Sequence, residues 1–557
     1  MDLRTLDETA GCLDGNSLQG ADMAACVNAS GLAPKKKGTS ALAAINQADV
    51  ERMMALHQYP EDVRAIVLSE RLLPLGLLNR LHALYPQHSR LQRTRKFLFD
   101  GRDHYTGLKG FRAVVATLKA NGIDIGFMPA RELFVEVYRF LATRHTLNCI
   151  DWDNYENDSI YQLVFPQPGM IDDEEVLQAY QAAGTVVERD EVVEGYLHRT
   201  NPHDGNQHLN KPWFQNAEGG VEVLDGSQHK YPQCQLVFDK TTQTCFSFCT
   251  YCFRHAQVRG GEDMFIQDDI RQIHDYLRLH TEVTDLLITG GDGGYMPVHR
   301  LEQYLQPLFD DPALMHVRTV RLASRSLTFQ PEMILSPKYD RMLELFERCG
   351  EHGIQLTWMA HFSTPKEVLN ISTVAAIRRL QAHGVMVRSQ SPIMNHISLF
   401  MDEQGEVDVD RSAQNWIDLA HVFANLKIGF HSMYCARPTG EHHYFAAPLA
   451  GIEKVFNKVY RSLSSINRPS RHISMTSSAG KISVMGTAQV NGKKAFALKF
   501  TEARNMEWLD KVFLAHYDEK QHTVDLLKPL DTPEFFFREE LHLIERALKE
   551  SLAKQAA

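Results

Sequence analysis

The stretch Cys245-Phe-Ser-Phe-Cys249-Thr-Tyr-Cys252 decides how the rest of the chain is read. Its thiols are separated by three and then two residues, directly after the apolar run Gln235–Phe238. Thiolates are soft ligands that hold zinc or iron–sulfur clusters. Three cysteines leave one iron of a four-iron cluster without a protein ligand, which opens a position for a substrate or cofactor. A zinc site needs a fourth ligand. His255, three residues past Cys252, makes Cys3His the structural competitor. Zinc knuckles sit in small modules, whereas this loop opens a long α/β region, so the cluster reading ranks first.

That region is assigned to residues 231–480, where short apolar runs alternate with amphipathic ones. The pattern predicts strands at Gln235–Phe238, Asp285–Thr289, Val317–Ala323, Ile354–His361, Val385–Ser391 and Ile428–Tyr434. It predicts helices at Asp268–Leu279, Met342–Glu347, Val374–His383, Ala413–Phe423 and Gly451–Leu463. Strands and helices alternating at this spacing imply parallel βαβ units with right-handed crossovers. The fold class is therefore α/β, with a partial or full parallel (β/α) barrel. In such folds the site lies at the C-terminal strand ends. Polar residues do collect there: the three cysteines, then Gly290-Gly291-Asp292, Arg321 and Arg325, His361, Gln390 and Tyr434.

Outside this region the signals are weaker. Residues 1–40 read as a mobile arm ending in Lys35-Lys36-Lys37. Residues 41–185 carry helical periodicity and read as an accessory domain. Within them His145 and Cys149 stand one turn apart, a pair more often core than ligand. Residues 186–230 read as an irregular lead-in. Residues 481–557 read as a hairpin, Ile482–Val490 with Lys493–Phe500 through the Asn491-Gly492 turn, followed by an amphipathic helix from Pro533 to Ala557.

The 557 residues imply two or three domains. A formal net charge of -10 argues against a nucleic-acid surface. The 9 cysteines, an odd number and mostly scattered, are not a disulfide framework and fit a reducing compartment. With neither a secretory signal nor a membrane-length apolar run in view, the expected location is cytoplasmic.

The thiol motif, with Tyr251 just before its last cysteine, resembles the signature of radical S-adenosylmethionine enzymes. Residues 225 to 490 together resemble the lysine 2,3-aminomutase family. The resemblance is carried by His229-Lys-Tyr-Pro232, Cys252-Phe-Arg254, Ile288-Thr-Gly-Gly-Asp292, Ala360-His-Phe-Ser-Thr-Pro-Lys-Glu367, Ser389-Gln-Ser391 and Ala479-Gly-Lys481. It implies a [4Fe–4S] cluster on Cys245, Cys249 and Cys252. It implies S-adenosylmethionine held by Gly290, Gly291, Asp292 and His361. It implies pyridoxal 5′-phosphate joined to Lys481, with Lys230, Tyr231 and Gln390 around it. Arg254 then holds the substrate carboxylate, and an amino group migrates between adjacent carbons. A low-potential electron donor such as flavodoxin or ferredoxin, and a homo-oligomeric state, belong to the same implication.

The chain also departs from the family pattern. Where the family has two phosphate-binding arginines, this sequence has Lys230 and a position near Cys234 or Gln235. Where lysine-specific members have two aspartates, it has Arg437 and a position near Ser474 or Met475. A cation repels the far ammonium of lysine. The expected substrate is therefore an acidic or uncharged amino acid, or an amine carried on another molecule, rather than free lysine. Two alternatives stand beside this reading: a radical enzyme without pyridoxal phosphate, and a non-catalytic zinc- or cluster-binding scaffold.

Overall fold

The computed structural model describes residues 44–556, apart from 89–90, 92–97, 100, 201–206, 217, 261–263 and 470–471. The expected arm at 1–40, with its lysine run, and the turn Asn201-Pro-His-Asp-Gly-Asn lie outside the described residues.

One sheet of 11 strands organises the chain, and its strand order follows the sequence. The strands are β1 Ser227–Tyr231, β2 Cys234–Phe238, β3 Asp285–Thr289, β4 Thr319–Ala323, β5 Gln355–Ala360, β6 Met386–Ile393, β7 Gly429–Cys435, β8 Ile473–Thr476, β9 Gly480–Val490, β10 Lys493–Ala503 and β11 Val512–His516. From β2 to β8 neighbouring strands are parallel. β1 is antiparallel at one end, and β9, β10 and β11 are antiparallel at the other. The fold is thus mixed α/β around a large, mostly parallel sheet.

Each parallel connection is a helical crossover, as parallel pairing requires. The crossovers contain, in order, the helices Ile270–Leu279, Val298–Asp310, Asp340–Glu351, Ile371–Ala382, Val409–Asn425 and Leu449–Ser462. Val298–Asp310 is not among the helices expected from sequence, and it holds Pro307 in its interior. It forms because Leu301, Tyr304, Leu305 and Leu308 make a buried stripe that outweighs the proline.

Strand side chains alternate between two environments, with the period of two that a pleated strand imposes. Leu286 and Ile288 of β3 are fully buried, while Asp285 and Leu287 line a cavity. In β4, Val320 and Leu322 are core, and Arg321 lines the same cavity. In β6, Val387, Ser389, Ser391 and Ile393 are buried, while Gln390 and Pro392 line it. The sheet curls around this space until Lys230 of β1 donates a hydrogen bond to the Ser477 carbonyl just beyond β8.

The segment before the sheet is more structured at its end than expected. Residues 186–230 are not simply irregular: they contain the helix Val186–Thr200, a short hairpin pairing Trp213–Gln215 with Val221–Val223, and β1 itself. The β9–β10 hairpin turns at Asn491 and Gly492, both with positive φ (50° and 76°), as a two-residue turn of this hand requires. The final helix runs Arg538–Ala556. Among the described residues no helix is long and apolar enough to cross a membrane.

Residues from Phe99 to Tyr196 build a second apolar core that also takes in Phe246 and Phe248 of the thiol loop. This segment covers the loop with backbone as well as side chains. Phe248 N–H donates to Leu141 O at 2.7 Å and Thr250 N–H to Leu163 O at 2.9 Å. Thr143 N–H donates to Ser247 Oγ at 3.1 Å. The cysteines therefore lie between the sheet and a fitted cover.

Candidate active site

The three thiols follow β2 and a short turn, Lys240–Thr242, capped by the Asp239 side chain. Gly290 and Gly291, at the end of β3, pack directly against that turn. A Cβ on Gly290 would sit 2.4 Å from Thr242 Oγ1, and one on Gly291 2.6 Å from Thr244 O. Gly291 N–H donates to Thr242 O at 2.7 Å. Glycine is needed here for backbone-to-backbone approach, which fixes the root of the cysteine loop.

Asp292 follows at once and is 2% exposed. Its Oδ1 accepts from Gly294 N–H at 2.8 Å and its Oδ2 from Arg325 N–H at 2.9 Å. Burial raises its pKa to about 6, and these hydrogen bonds oppose the rise. Asp292 is near enough to Cys245 to add to the effect of burial in pushing that thiol well up. Burial likewise raises Cys249, and pushes Cys252 up to about 12. Such thiols are poor nucleophiles when free but suit a metal centre, where coordination deprotonates them outright.

The donor set fits a cluster better than a single ion. The three sulfurs are not gathered within 4.8 Å of one another, as they would be around one metal. His255, the expected fourth zinc ligand, instead donates through Nε2 to Thr200 O at 3.0 Å and packs edge-on to Tyr138. Arg325 braces the loop from beneath. It contacts Cys249 Sγ at 3.6 Å, bonds the Tyr251 hydroxyl, and is paired with Glu367 at 2.7 Å.

Next to the loop lies a cavity of about 440 Å³. Lys230, Tyr231, Arg254, His361, Gln390, Tyr434, Arg437 and Lys481, all singled out from sequence, line it together. Gly290, Gly291 and Asp292 do not line it; they stand at the thiol side. Asp285, His431 and Glu502, given no site role from the sequence, line it as well.

Charge pairing divides the cavity. Asp285 and Glu502 are its acids, and both are engaged. Arg321 Nε donates to Asp285 at 2.8 Å, and Arg321 Nη2 reaches Cys234 Sγ at 2.8 Å. Lys481 is paired with Glu502 and lies 5.7 Å and 5.3 Å from the ring centroids of Tyr231 and Tyr434. Burial would lower the Lys481 pKa, but Tyr434 and Glu502 more than offset it and the ammonium is favoured. Gly480 allows this approach, since a Cβ there would lie 2.3 Å from Glu502 O.

Three other cations have no carboxylate partner within ion-pair distance among the described residues, Lys230, Arg254 and Arg437, although Asp525 acts on Lys230 and Arg437 from further away. Arg254 donates only to Thr289 Oγ1, at 3.1 Å, and stacks over Phe238. Arg437 lies over Phe253, with its guanidinium 5.5 Å from the ring centroid. Burial and Arg437 push Arg254 down to about 10; burial lowers Arg437; burial, Arg504 and Arg437 hold Lys230 well below the usual range. His361 is pushed down to about 4 by burial and Arg325, so it is neutral at neutral pH, beside Gln390. At the position expected near Ser474 or Met475, Met475 is core and Thr476 is the residue that lines the cavity.

Known proteins share this arrangement of sequence. No protein-family model matches the chain. A putative L-lysine 2,3-aminomutase of Aquifex aeolicus is 25% identical over 356 residues, 64% of this chain and 79% of the relative. L-lysine 2,3-aminomutase of Clostridium subterminale is 29% identical over 218 residues, 36% of this chain and 49% of the relative. The chain is a relative of the lysine 2,3-aminomutases. A glutamate 2,3-aminomutase of Clostridioides difficile is 28% identical over 169 residues, 30% of this chain and 37% of the relative. This aminomutase-like chain thus spans most of the first relative but less than half of the other two.

Proposed function

We propose that the protein is a radical S-adenosylmethionine enzyme of the aminomutase type, its sheet a barrel of that kind. It moves an amino group between adjacent carbons of an acidic or uncharged amino acid, or of an amine carried on another molecule, and not of free lysine. One observation carries this reading: every acid lining the cavity is already paired, while Lys230, Arg254 and Arg437 are not. Such a cavity favours a ligand set rich in anions. A pyridoxal phosphate group and one or two substrate carboxylates supply it. A lysine side chain would bring an ammonium to a cavity whose two lining carboxylates are both already paired.

Cys245, Cys249 and Cys252 would hold the four-iron cluster, and Asp292 and His361 the S-adenosylmethionine. Lys481, Tyr231, Lys230 and Gln390 would hold pyridoxal phosphate. When bound, these groups supply hydrogen abstraction and a sink for the unpaired electron. The protein supplies the rest. Arg254 offers a guanidinium fork to the substrate carboxylate, and Arg437 a second fork to another anionic group. Glu502 is placed to take the Lys481 proton, which must leave before that amine can bond an aldehyde. The cover formed by residues 141–146 and 162–163 keeps water from the thiol loop. A cytoplasmic setting and a low-potential donor such as flavodoxin or ferredoxin go with this reading.

The Lys481–Glu502 pair also favours a second reading. An ammonium held this firmly suits a radical enzyme that does without pyridoxal phosphate. Anaerobic reconstitution with iron, sulfide and pyridoxal phosphate separates the two. An absorbance band lost in Lys481→Ala supports the first; no band on repeated reconstitution supports the second. Incubation with S-adenosylmethionine, reductant and a panel of amino acids then tests the substrate. Release of 5′-deoxyadenosine with glutamate-class compounds and not lysine is expected. Lysine turning over fastest would sink the substrate assignment, and no 5′-deoxyadenosine under any condition would sink the enzyme.

A further inference from the structure

We infer that His57, His145 and Glu332 form a binding site for a divalent transition-metal ion of the zinc class, separate from the cysteine loop. One ligand atom from each residue lies within 4.8 Å of the other two. Around a tetrahedral ion with bonds of about 2.0–2.1 Å, ligand atoms stand roughly 3.4 Å apart. The His145–Glu332 pair, at 2.7 Å, would open slightly to admit the ion, and any wider ligand pair would close by roughly 1.4 Å at most. Two imidazoles and one carboxylate are a donor set that zinc-class ions favour over magnesium or calcium.

The surroundings are those of a built site. His145 is 5% exposed at its side chain, and its Nδ1 stands 2.7 Å from Glu332 Oε1. Its other nitrogen, Nε2, stands 3.5 Å from Cys149 Sγ, which orients the ring so that Nδ1 faces the carboxylate. Ser372 hydrogen-bonds Glu332 and in turn accepts from the Tyr59 hydroxyl. All three residues border a small cavity of about 50 Å³, which also has Gln330 and Asn148 in its wall. Gln330 Oε1 is buried there without a hydrogen-bond partner, an acceptor that a metal-bound water would satisfy. None of these residues lines the main cavity.

The three ligands come from three separate segments. His57 caps the helix Gln47–Leu56, His145 lies on the helix Arg144–Cys149, and Glu332 begins the helix Glu332–Leu335 after β4. An ion here would replace the proton of the His145–Glu332 bond and tie the cover of the thiol loop to the sheet.

Zinc alone, titrated calorimetrically into the full-length protein that has been cleared of metal with a chelator and then given its cluster back, tests the site, with bound zinc counted beside iron. One zinc per chain beyond the cluster iron is expected in the native protein and in Cys245→Ala. Binding should weaken at least tenfold in His57→Ala and in Glu332→Gln. His57 is partly exposed and Glu332→Gln keeps its shape, so both variants should fold, and circular dichroism checks this. A melting temperature that rises with zinc only when all three ligands are present supports the site. No zinc uptake by the native protein overturns it. So does equal uptake by both variants, or loss of zinc in Cys245→Ala.

Discussion

The Arg325–Glu367 pair is the sharpest place to test how the thiol loop is held. Both side chains are buried, at 6% and 0% exposure. Glu367 accepts from Arg325 Nη2 at 2.7 Å and Thr328 Oγ1 at 3.2 Å through Oε1. It accepts from Ser363 N–H at 2.6 Å and Thr364 N–H at 3.1 Å through Oε2. Glu367→Gln keeps the shape but turns one acceptor into a donor facing other donors, and it leaves a buried guanidinium uncompensated. Breaking one side of such a pair costs about 3–5 kcal/mol. Part of that loss falls on the loop, because Arg325 also touches Cys249 Sγ and the Tyr251 hydroxyl. Urea denaturation of the anaerobic protein measures the first effect, and the rate of cluster-iron loss to a chelator measures the second. The double variant Arg325→Met/Glu367→Gln should recover at least about 1 kcal/mol over the single one, since no charge is then stranded. A single variant within about 0.5 kcal/mol of native, holding its cluster equally long, would refute the reasoning.

Other consequences can be tested separately. Arg437→Asp should raise turnover of lysine relative to acidic substrates by about tenfold, or about 1.4 kcal/mol; an unchanged ratio of kcat/KM values would remove Arg437 from the substrate's reach. Gly480→Ala puts a Cβ 2.3 Å from Glu502 O and 2.8 Å from Ala503 Cα, so the hairpin must part at Lys481, with about 1–3 kcal/mol of stability lost and the pyridoxal absorbance with it. Glu441, 2% exposed and bonded by the Tyr138 and Tyr196 hydroxyls, has its pKa raised by burial to about 7. Its folded pKa lies above the unfolded one, so its contribution to stability is full at pH below about 4.5 and is lost as pH rises through 7. Glu441→Gln should therefore flatten the decline in stability between pH 5 and 8, measured by urea titration at each pH; an unaltered profile counts against the buried carboxyl as its source.

Local signals in the sequence carried the sheet. Asp285–Thr289 is a strand end to end because its apolar residues and its bounds are both set within a few residues. The helix Val298–Asp310 was hidden by Pro307, a breaker whose local cost is exceeded by burial against elements far away in sequence. β1 and β11, at the two edges of the sheet, owe their form to strand partners that no local pattern announces. The partner of Lys481 was within reach. Equal counts back from the Asn491-Gly492 turn set Lys481 opposite Glu502, and the two irregularities between them cancel. The His57–His145–Glu332 group was not, since its members lie far apart in the sequence and only the packed chain brings them together.

The same distinction bears on the substrate. Each charged residue of the cavity can be found in the sequence, but its effect on a ligand depends on whether it is already paired. Lys481 and Arg321 look like available cations until Glu502 and Asp285 are found beside them. Arg254 and Arg437 line one cavity, where burial lowers both and Arg437 lowers Arg254 further. Removing the paired groups from consideration leaves a positive remainder close to the thiol loop. On the proposed function that remainder, and not the number of acids or bases, selects the ligand, and anionic groups at both of its ends would lower the cost of burying Lys230, Arg254 and Arg437 together.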